Sequence, residues 1–169
     1  RLLLAATLAP VYGVYSGFEL CENVPVRPGS EEYLDSEKYE IRVRDWDAPG
    51  NIKSEIARIN QIRRDNPALQ QLSNIRFLTS EHDGVLAYWK HAAKNDLIVI
   101  VNLDPHHTLE TMVHVPLLEL GLGSDEPFLV EDLLTGQRYG WRGSRNYVRL
   151  DPSERPGHVL RIIRLDEPG

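Results

Sequence analysis

The residues with the most chemistry per unit length lie between 31 and 51, in EEYLDSEKYEIRVRDWDAPGN, where carboxylates, basic side chains, two tyrosines and a tryptophan crowd a span with little aliphatic material. Glu31, Glu32, Asp35, Glu37 and Glu40 contain pairs that could act as general acid and base, a task for two carboxylates in unlike surroundings. Set beside Lys38, Arg42 and Arg44, however, such carboxylates more often form a solvated ion-pair network in which each contact contributes little. Asp45 and Asp47 flank Trp46 and suit capping of a following helix or bracing of the loop. Glu19 follows a strand-ending glycine and could face a site; a carboxylate there more often accepts backbone N–H groups or pairs with an arginine, and Arg42 and Arg44 are available. The structural role is favoured for Glu19.

Elsewhere the candidates are weaker. His106 and His107 are adjacent, so a strand would aim them at opposite faces, and no Cys or carboxylate stands at ligand spacing; no metal site is expected. Gly121 and Gly123 in GLGS lack a strand-to-helix setting, which makes a turn the better reading than a phosphate cradle. Trp89 and Trp141 could offer sugar platforms, although a tryptophan within a sandwich strand usually belongs to the core. Cys21 is the single cysteine, so no internal disulfide can form, and its expected role is a small buried apolar group in a cytoplasmic protein.

Composition narrows the class. The 169 residues are 41% hydrophobic and 26% charged with a formal charge of -6, ordinary globular values with enough length to bury roughly 70% of the unfolded surface. Lysines and arginines are scattered, which argues against a nucleic acid partner, because phosphate binding needs a concentrated basic footprint. No run reaches the roughly 18–20 apolar residues of a membrane span. RLLLAATLAP has a thin likeness to a signal peptide, but it carries one Arg, and Pro10 follows the one plausible cleavage point. Without an initiating Met, the chain is expected to begin inside a longer protein.

The elements that would position these residues change character along the chain. Leu2 to Leu8 read as the end of a helix closed by Pro10. VYGVYS, residues 11–16, reads as a short buried parallel strand. Residues 18–48 show no period and are expected to form a long loop, a length that in compact domains usually signals function. A helix follows, with Pro49 and Asn51 at its start and Ile52, Ile56, Ile59 and Ile62 on one face; Arg63 and Arg64 suit its C-terminal end, and Pro67 stops it. From about residue 72, seven strand-like runs (NIRFLTS, GVLAYWKH, DLIVIVNL, TMVHVPL, PFLVEDLL, RNYVRL and HVLRIIRL) recur between turn signals such as Asp83-Gly84, Asn95-Asp96 and Thr135-Gly136. That spacing predicts an antiparallel β-sandwich over residues 71–169. One strand and one helix cannot cover each other's apolar faces, so residues 1–70 are expected to be the last βα unit of a (β/α)8 TIM barrel, with strand 8, the loop over the barrel mouth and the final helix.

A resemblance then enters through specific residues. LAPVYGVYSGFEL, with Pro10, Tyr15, Gly17 and Glu19, is similar to the eighth barrel strand of the α-amylase superfamily, and IARINQIRRDNPAL resembles its final barrel helix, ending in the Arg63 to Leu69 pattern. More narrowly, YSGFELCENVPVRPGSEEYLDSEKYEIRVRDWDAPGNI closely resembles the bacterial maltosyltransferases that extend α-1,4-glucans from maltose 1-phosphate. The likeness is strong over residues 1–70 and looser over the sandwich.

That family transfers maltosyl units to the non-reducing ends of α-1,4-glucans with retention, releasing phosphate in glycogen-like glucan synthesis. Retention requires a carboxylate nucleophile and a carboxylic acid roughly 5 Å apart. The resemblance implies that these groups and a third carboxylate precede residue 1, so this chain alone is expected to be inactive. It further implies that Lys38 and Tyr39 contact the donor's maltosyl group, an ammonium donating to hydroxyls and a phenol ring supplying a flat apolar face. No cofactor is implied; maltose 1-phosphate and α-1,4-glucan are the partners, and the full-length family members are homodimers. Two alternatives stay open: another α-amylase superfamily enzyme, either a hydrolase or a trehalose-forming isomerase, and a non-catalytic carbohydrate-binding module.

Overall fold

The computed structural model describes residues 1–34 and 41–164. Two helices, α1 (Leu2–Leu8) and α2 (Lys53–Asp65), precede eight strands: β1 (Ile75–Leu78), β2 (Val85–Ala92), β3 (Asn95–Asn102), β4 (Leu109–His114), β5 (Pro127–Asp132), β6 (Arg138–Arg142), β7 (Arg145–Leu150) and β8 (Gly157–Ile163). Single 3₁₀ turns sit at Phe18–Leu20 and Pro67–Gln70. The strands form a six-stranded antiparallel sheet in the order β1-β2-β3-β8-β5-β6 and a separate ribbon, β4-β7.

The run LIVIV, residues 97–101, is apolar throughout, as suits a strand covered on both faces. Leu97, Val99 and Val101 share a cluster with Ala6 of α1, Ile59 and Ile62 of α2, and Ala68 and Leu69. Ile98 and Ile100 belong to the opposite cluster, with Val113 of β4, Val148 and Leu150 of β7, and Phe128 and Trp141. The period of two along a strand separates these sets cleanly, and each fully buried aliphatic side chain contributes about 1.5–3 kcal/mol. The helices therefore lie on one face of the sheet and the ribbon on the other. The helix-side cluster draws on residues from both sides of residue 70.

Several contacts fasten the helices. A Cβ on Gly157 would stand 2.6 Å from Leu3 Cδ2 and 2.7 Å from the Ile100 carbonyl oxygen, so the missing side chain lets α1 approach the β3–β8 ladder. Thr7 Oγ1 donates to the Leu3 carbonyl at 2.6 Å and meets the Tyr88 hydroxyl at 2.5 Å. Burial pushes the Tyr88 phenol up to about 12, against the opposing pull of the Thr7 bond. Arg63 suits more than its own helix: its guanidinium donates to the carbonyls of Ala6, Ala9 and Pro10, the uncapped C-terminal end of α1, and lies 5.0 Å from the Tyr12 ring centroid.

Both helices and all seven strand-like runs appear close to their expected places. Three expectations change. Residues 11–16 form no buried parallel strand: residues 11–15 pair with no strand among the described residues, and Val11, Val14 and Tyr15 are 81%, 42% and 54% exposed. A strand of that kind needs partners on both edges, and the described chain places none beside it. The Asn95-Asp96 pair lies within β3; the reversal occurs two residues earlier, at Ala93-Lys94, where the Ala93 φ of 52° is left-handed. An eighth strand, β6, is unexpected: RYGWR alternates Tyr139 and Trp141 inward with Gly140 outward, but a run this short with a glycine at its centre and Gly143 just after it is a weak strand signal.

Candidate functional site

The loop that follows Tyr15 is closed at its base by a polar clamp. Arg44, whose side chain is 2% exposed, donates from Nε to Glu22 Oε1 at 3.1 Å and from Nη2 to Oε2 at 3.3 Å. Its Nη1 donates to Ser16 Oγ at 3.0 Å. Gly17 makes this possible: its φ is 94°, and a Cβ there would lie 2.3 Å from Glu22 Oε2. Two-point contact by a planar guanidinium fixes orientation as well as distance, which a lysine could not do.

Further ties join the two sides of the loop. Arg42 reaches Glu22 Oε2 at 3.4 Å, Ile52 N donates to the Glu19 carbonyl at 2.8 Å, and Cys21 Sγ donates to the Gly50 carbonyl at 3.5 Å. Within the loop, Pro25 and Tyr33 form an antiparallel bridge, with Val26 N donating to Glu32 O and Leu34 N to Val24 O. At the helix end, Asp45 Oδ1 accepts from Asp47 N at 3.0 Å, Asp47 Oδ1 accepts from Lys53 Nζ at 2.9 Å, and Asn51 Oδ1 accepts from Lys53 N at 3.3 Å. Asp45 thus braces the loop and Asp47 ties it to the first residue of α2, while neither caps the helix.

Lys38 and Tyr39, with Asp35, Glu37 and Glu40, lie outside the described residues. The arginines available to Glu19 are engaged by Glu22 instead, because the αL turn at Gly17 brings Glu22 to their guanidinium groups. Glu19 Oε2 is left buried with no hydrogen-bond partner. A buried carboxylate oxygen in that state is costly. Cys21 is exposed and takes a left-handed φ of 58°, so it is not the buried apolar group expected.

The remaining candidates take structural places. His106 and His107 lie on the loop between β3 and β4, not on a strand, and His107 Nδ1 meets Asp104 Oδ2 at 2.8 Å. Among the described residues no three His, Cys, Asp or Glu side chains are grouped to hold a metal ion. Gly121 and Gly123 form a turn in which Gly123 N donates to Glu126 Oε2 at 2.7 Å. Trp89 donates its indole N–H to Asp96 Oδ1 at 2.9 Å, and Trp141 packs edge-on against Phe128 in the core. Trp46 stays 47% exposed beside the loop base.

Comparison with known proteins agrees in fold and goes further in sequence. The maltogenic α-amylase AmyB of Thermotoga neapolitana matches with a TM-score of 0.65 at 11% identity, over 96% of this chain and 35% of that one. The α-amylase GTA of Geobacillus thermoleovorans matches with a TM-score of 0.61 at 16% identity, over 97% of this chain and 33% of that one. Both likenesses carry the fold alone. Alpha-1,4-glucan:maltose-1-phosphate maltosyltransferase 1 of Streptomyces coelicolor is 49% identical over 99% of this chain, and the protein of that name from Rhodospirillum rubrum is 49% identical over 96%. The chain spans about a quarter of the length of these relatives. The family model described as GLGE, C-terminal matches residues 77–162, from β1 through most of β8 and over more than half of the sequence, and the chain belongs to that family.

Proposed function

We propose that this chain is the C-terminal portion of a retaining maltosyltransferase that moves maltosyl units from maltose 1-phosphate to the non-reducing ends of α-1,4-glucans and releases phosphate. The observation that carries this reading is the identity of 43–49% with proteins of that name across 96–99% of the chain. On this reading residues 1–70 complete a (β/α)8 barrel and residues 71–169 form its C-terminal β-sandwich domain. The exposed Val11, Val14 and Tyr15 support it, since a strand with apolar side chains and unpaired edges gains both burial and a ladder when its neighbours are present. The orphaned Glu19 Oε2 supports it too, as an acceptor suited to a donor from the rest of the barrel.

The catalytic carboxylates belong to the three quarters of the enzyme beyond this chain, and what this chain contributes is substrate holding. The Glu22–Arg44 clamp fixes the two ends of the loop that carries Lys38 and Tyr39. Lys38 donates to sugar hydroxyls of the donor, and Tyr39 offers its ring face and hydroxyl at low entropic cost. The full-length enzyme is expected to be a cytoplasmic homodimer; no helix among the described residues is long and apolar enough to cross a membrane.

In the full-length enzyme, Lys38→Ala and Tyr39→Ala are expected to lower kcat/KM for maltose 1-phosphate by up to about a hundredfold, with the melting temperature unchanged. Phosphate release at varied donor concentration measures this. Unaltered kinetics in both variants would remove the pair from the donor site.

A further inference from the structure

A concavity of about 380 Å³ opens where the six-stranded sheet and the ribbon part, between β6 and β7. Its size falls within the range of small-ligand sites. The floor is built from groups that are held in place. His158 is 5% exposed, with Nδ1 at 3.0 Å from Asp132 Oδ2 and Nε2 at 3.3 Å from the Arg149 carbonyl, and Trp141 is 7% exposed beside it. One wall is an ordered polar relay: Arg155 Nη1 donates to Gln137 Oε1 at 3.0 Å and to the Tyr139 hydroxyl at 2.7 Å, while that hydroxyl donates to Gln137 at 2.8 Å. The other wall is formed by Tyr147, 53% exposed, and Arg149, whose Nη2 donates to Asp151 Oδ2 at 3.0 Å.

The lining selects among ligand classes. Arg149 and Arg155 are matched by Asp151 and Glu154, so the cavity has no surplus charge for a phosphate or for a strongly charged peptide. Addition of a peptide strand along β6 or β7 would need a free backbone edge, yet the Arg149 carbonyl of β7 is already engaged by His158 and Arg142 N of β6 is held by Asn146 Oδ1 at 3.2 Å. A neutral polyhydroxylated ring is the complementary case. Its hydroxyls donate and accept together, as guanidinium and carboxylate groups side by side require, and its C–H face is apolar enough to lie against a tyrosine ring.

We propose that this groove binds a segment of α-glucan, with a pyranose face against Tyr147 and hydroxyls engaged by Arg155, Gln137 and Asp151. The choice of α-glucan among sugars rests on the maltosyltransferase reading; the preference for a neutral polyol rests on the lining. The site gives the sheet domain a hold on polymer that is separate from the loop bearing Lys38 and Tyr39.

The 169-residue chain, run in a native gel containing amylopectin and titrated with maltoheptaose, tests this. Retardation of the chain is expected, with maltoheptaose binding weakened about tenfold or more by Tyr147→Ala and retained by Tyr147→Phe. Arg155→Gln, on the turn before β8, should weaken binding as well and serves if Tyr147→Ala melts at a lower temperature. No retardation, equal retardation of Tyr147→Ala and Arg155→Gln, or equally tight binding of cellohexaose would each overturn the assignment. Maltosyl transfer by the unaltered full-length enzyme is read separately. Its absence sinks the maltosyltransferase reading, and loss of gel binding with transfer present sinks only the groove.

Discussion

Ile98 and Ile100 in β3 are fully buried between the ribbon and the rest of the sheet, whereas Val11, Ile41 and Val43, on the segment that carries the loop, are 81%, 98% and 94% exposed. The two regions hold their shapes by different means. The sheet is organised by apolar contact on both faces, which needs many neighbours and no particular geometry from any one of them. The base of the loop is organised by a few directed contacts, Arg44 with Glu22 and Ser16, and Ile52 with Glu19, and leaves its apolar side chains uncovered. The sheet thus closes one face with its own ribbon and the other with α1 and α2, while the loop keeps its shape without covering its apolar side chains.

The sharpest way to break this comparison is to delete apolar volume in each region. Ile100→Ala is expected to lower the stability of the chain by about 2–5 kcal/mol, because the cavity lies where neither the ladder nor the packed ribbon can collapse. Val14→Ala in the same chain is expected to cost about 0.5 kcal/mol or less, and more in the full-length enzyme. Urea unfolding of both variants in both backgrounds measures the difference; a Val14 cost that does not depend on background would count against the barrel.

A smaller effect probes the seam between helix and sheet. Gly157→Ala should destabilise by about 1–3 kcal/mol, since the new methyl group meets the Ile100 carbonyl as well as Leu3. Adding Leu3→Ala removes one of these obstacles and leaves the backbone one. Thermal melts of the double variant should therefore show partial recovery, and full recovery would mean that α1 and not the ladder sets the distance.

The smallest effect is a pH dependence. Tyr88 has its folded value pushed up to about 12 from an ordinary 10.0, so the folded state holds the phenolic proton more tightly. The stability that this confers is present in full below pH 10 and is lost as pH rises towards 12. Melting temperature between those limits should fall more steeply for the parent than for Tyr88→Phe. Parallel curves would show that burial does not hold the Tyr88 phenol in its protonated form.

Much of this architecture is legible in the residues. The isoleucine spacing from 52 to 62 and the stop at Pro67 define α2, and alternating apolar runs between turn residues define seven of the eight strands. β6 escaped because a glycine at the centre of so short a run weakens its strand signal, and its membership depends on Phe128 in the neighbouring strand accepting Trp141. The candidate site is less legible. For Arg42 and Arg44 the sequence offers Glu19 as one acidic partner among several, and only the left-handed turn at Gly17 selects Glu22. The groove between β6 and β7 leaves no linear signal, because Gln137, Tyr147 and Arg155 come together from three separate stretches.

By itself the sequence determined both helices and seven of the eight strands, though not the conformation of residues 11–16, and through YSGFELCENVPVRPGSEEYLDSEKYEIRVRDWDAPGNI it determined the family likeness. Periodicity and turn chemistry are local, and they survive any change in what lies across from them. Only the tertiary structure decided that β3 is covered on both faces, that Arg63 caps α1, and that Arg44 locks Glu22. Each of those outcomes depends on groups far apart in the chain meeting at a set distance, a quantity that no local pattern encodes.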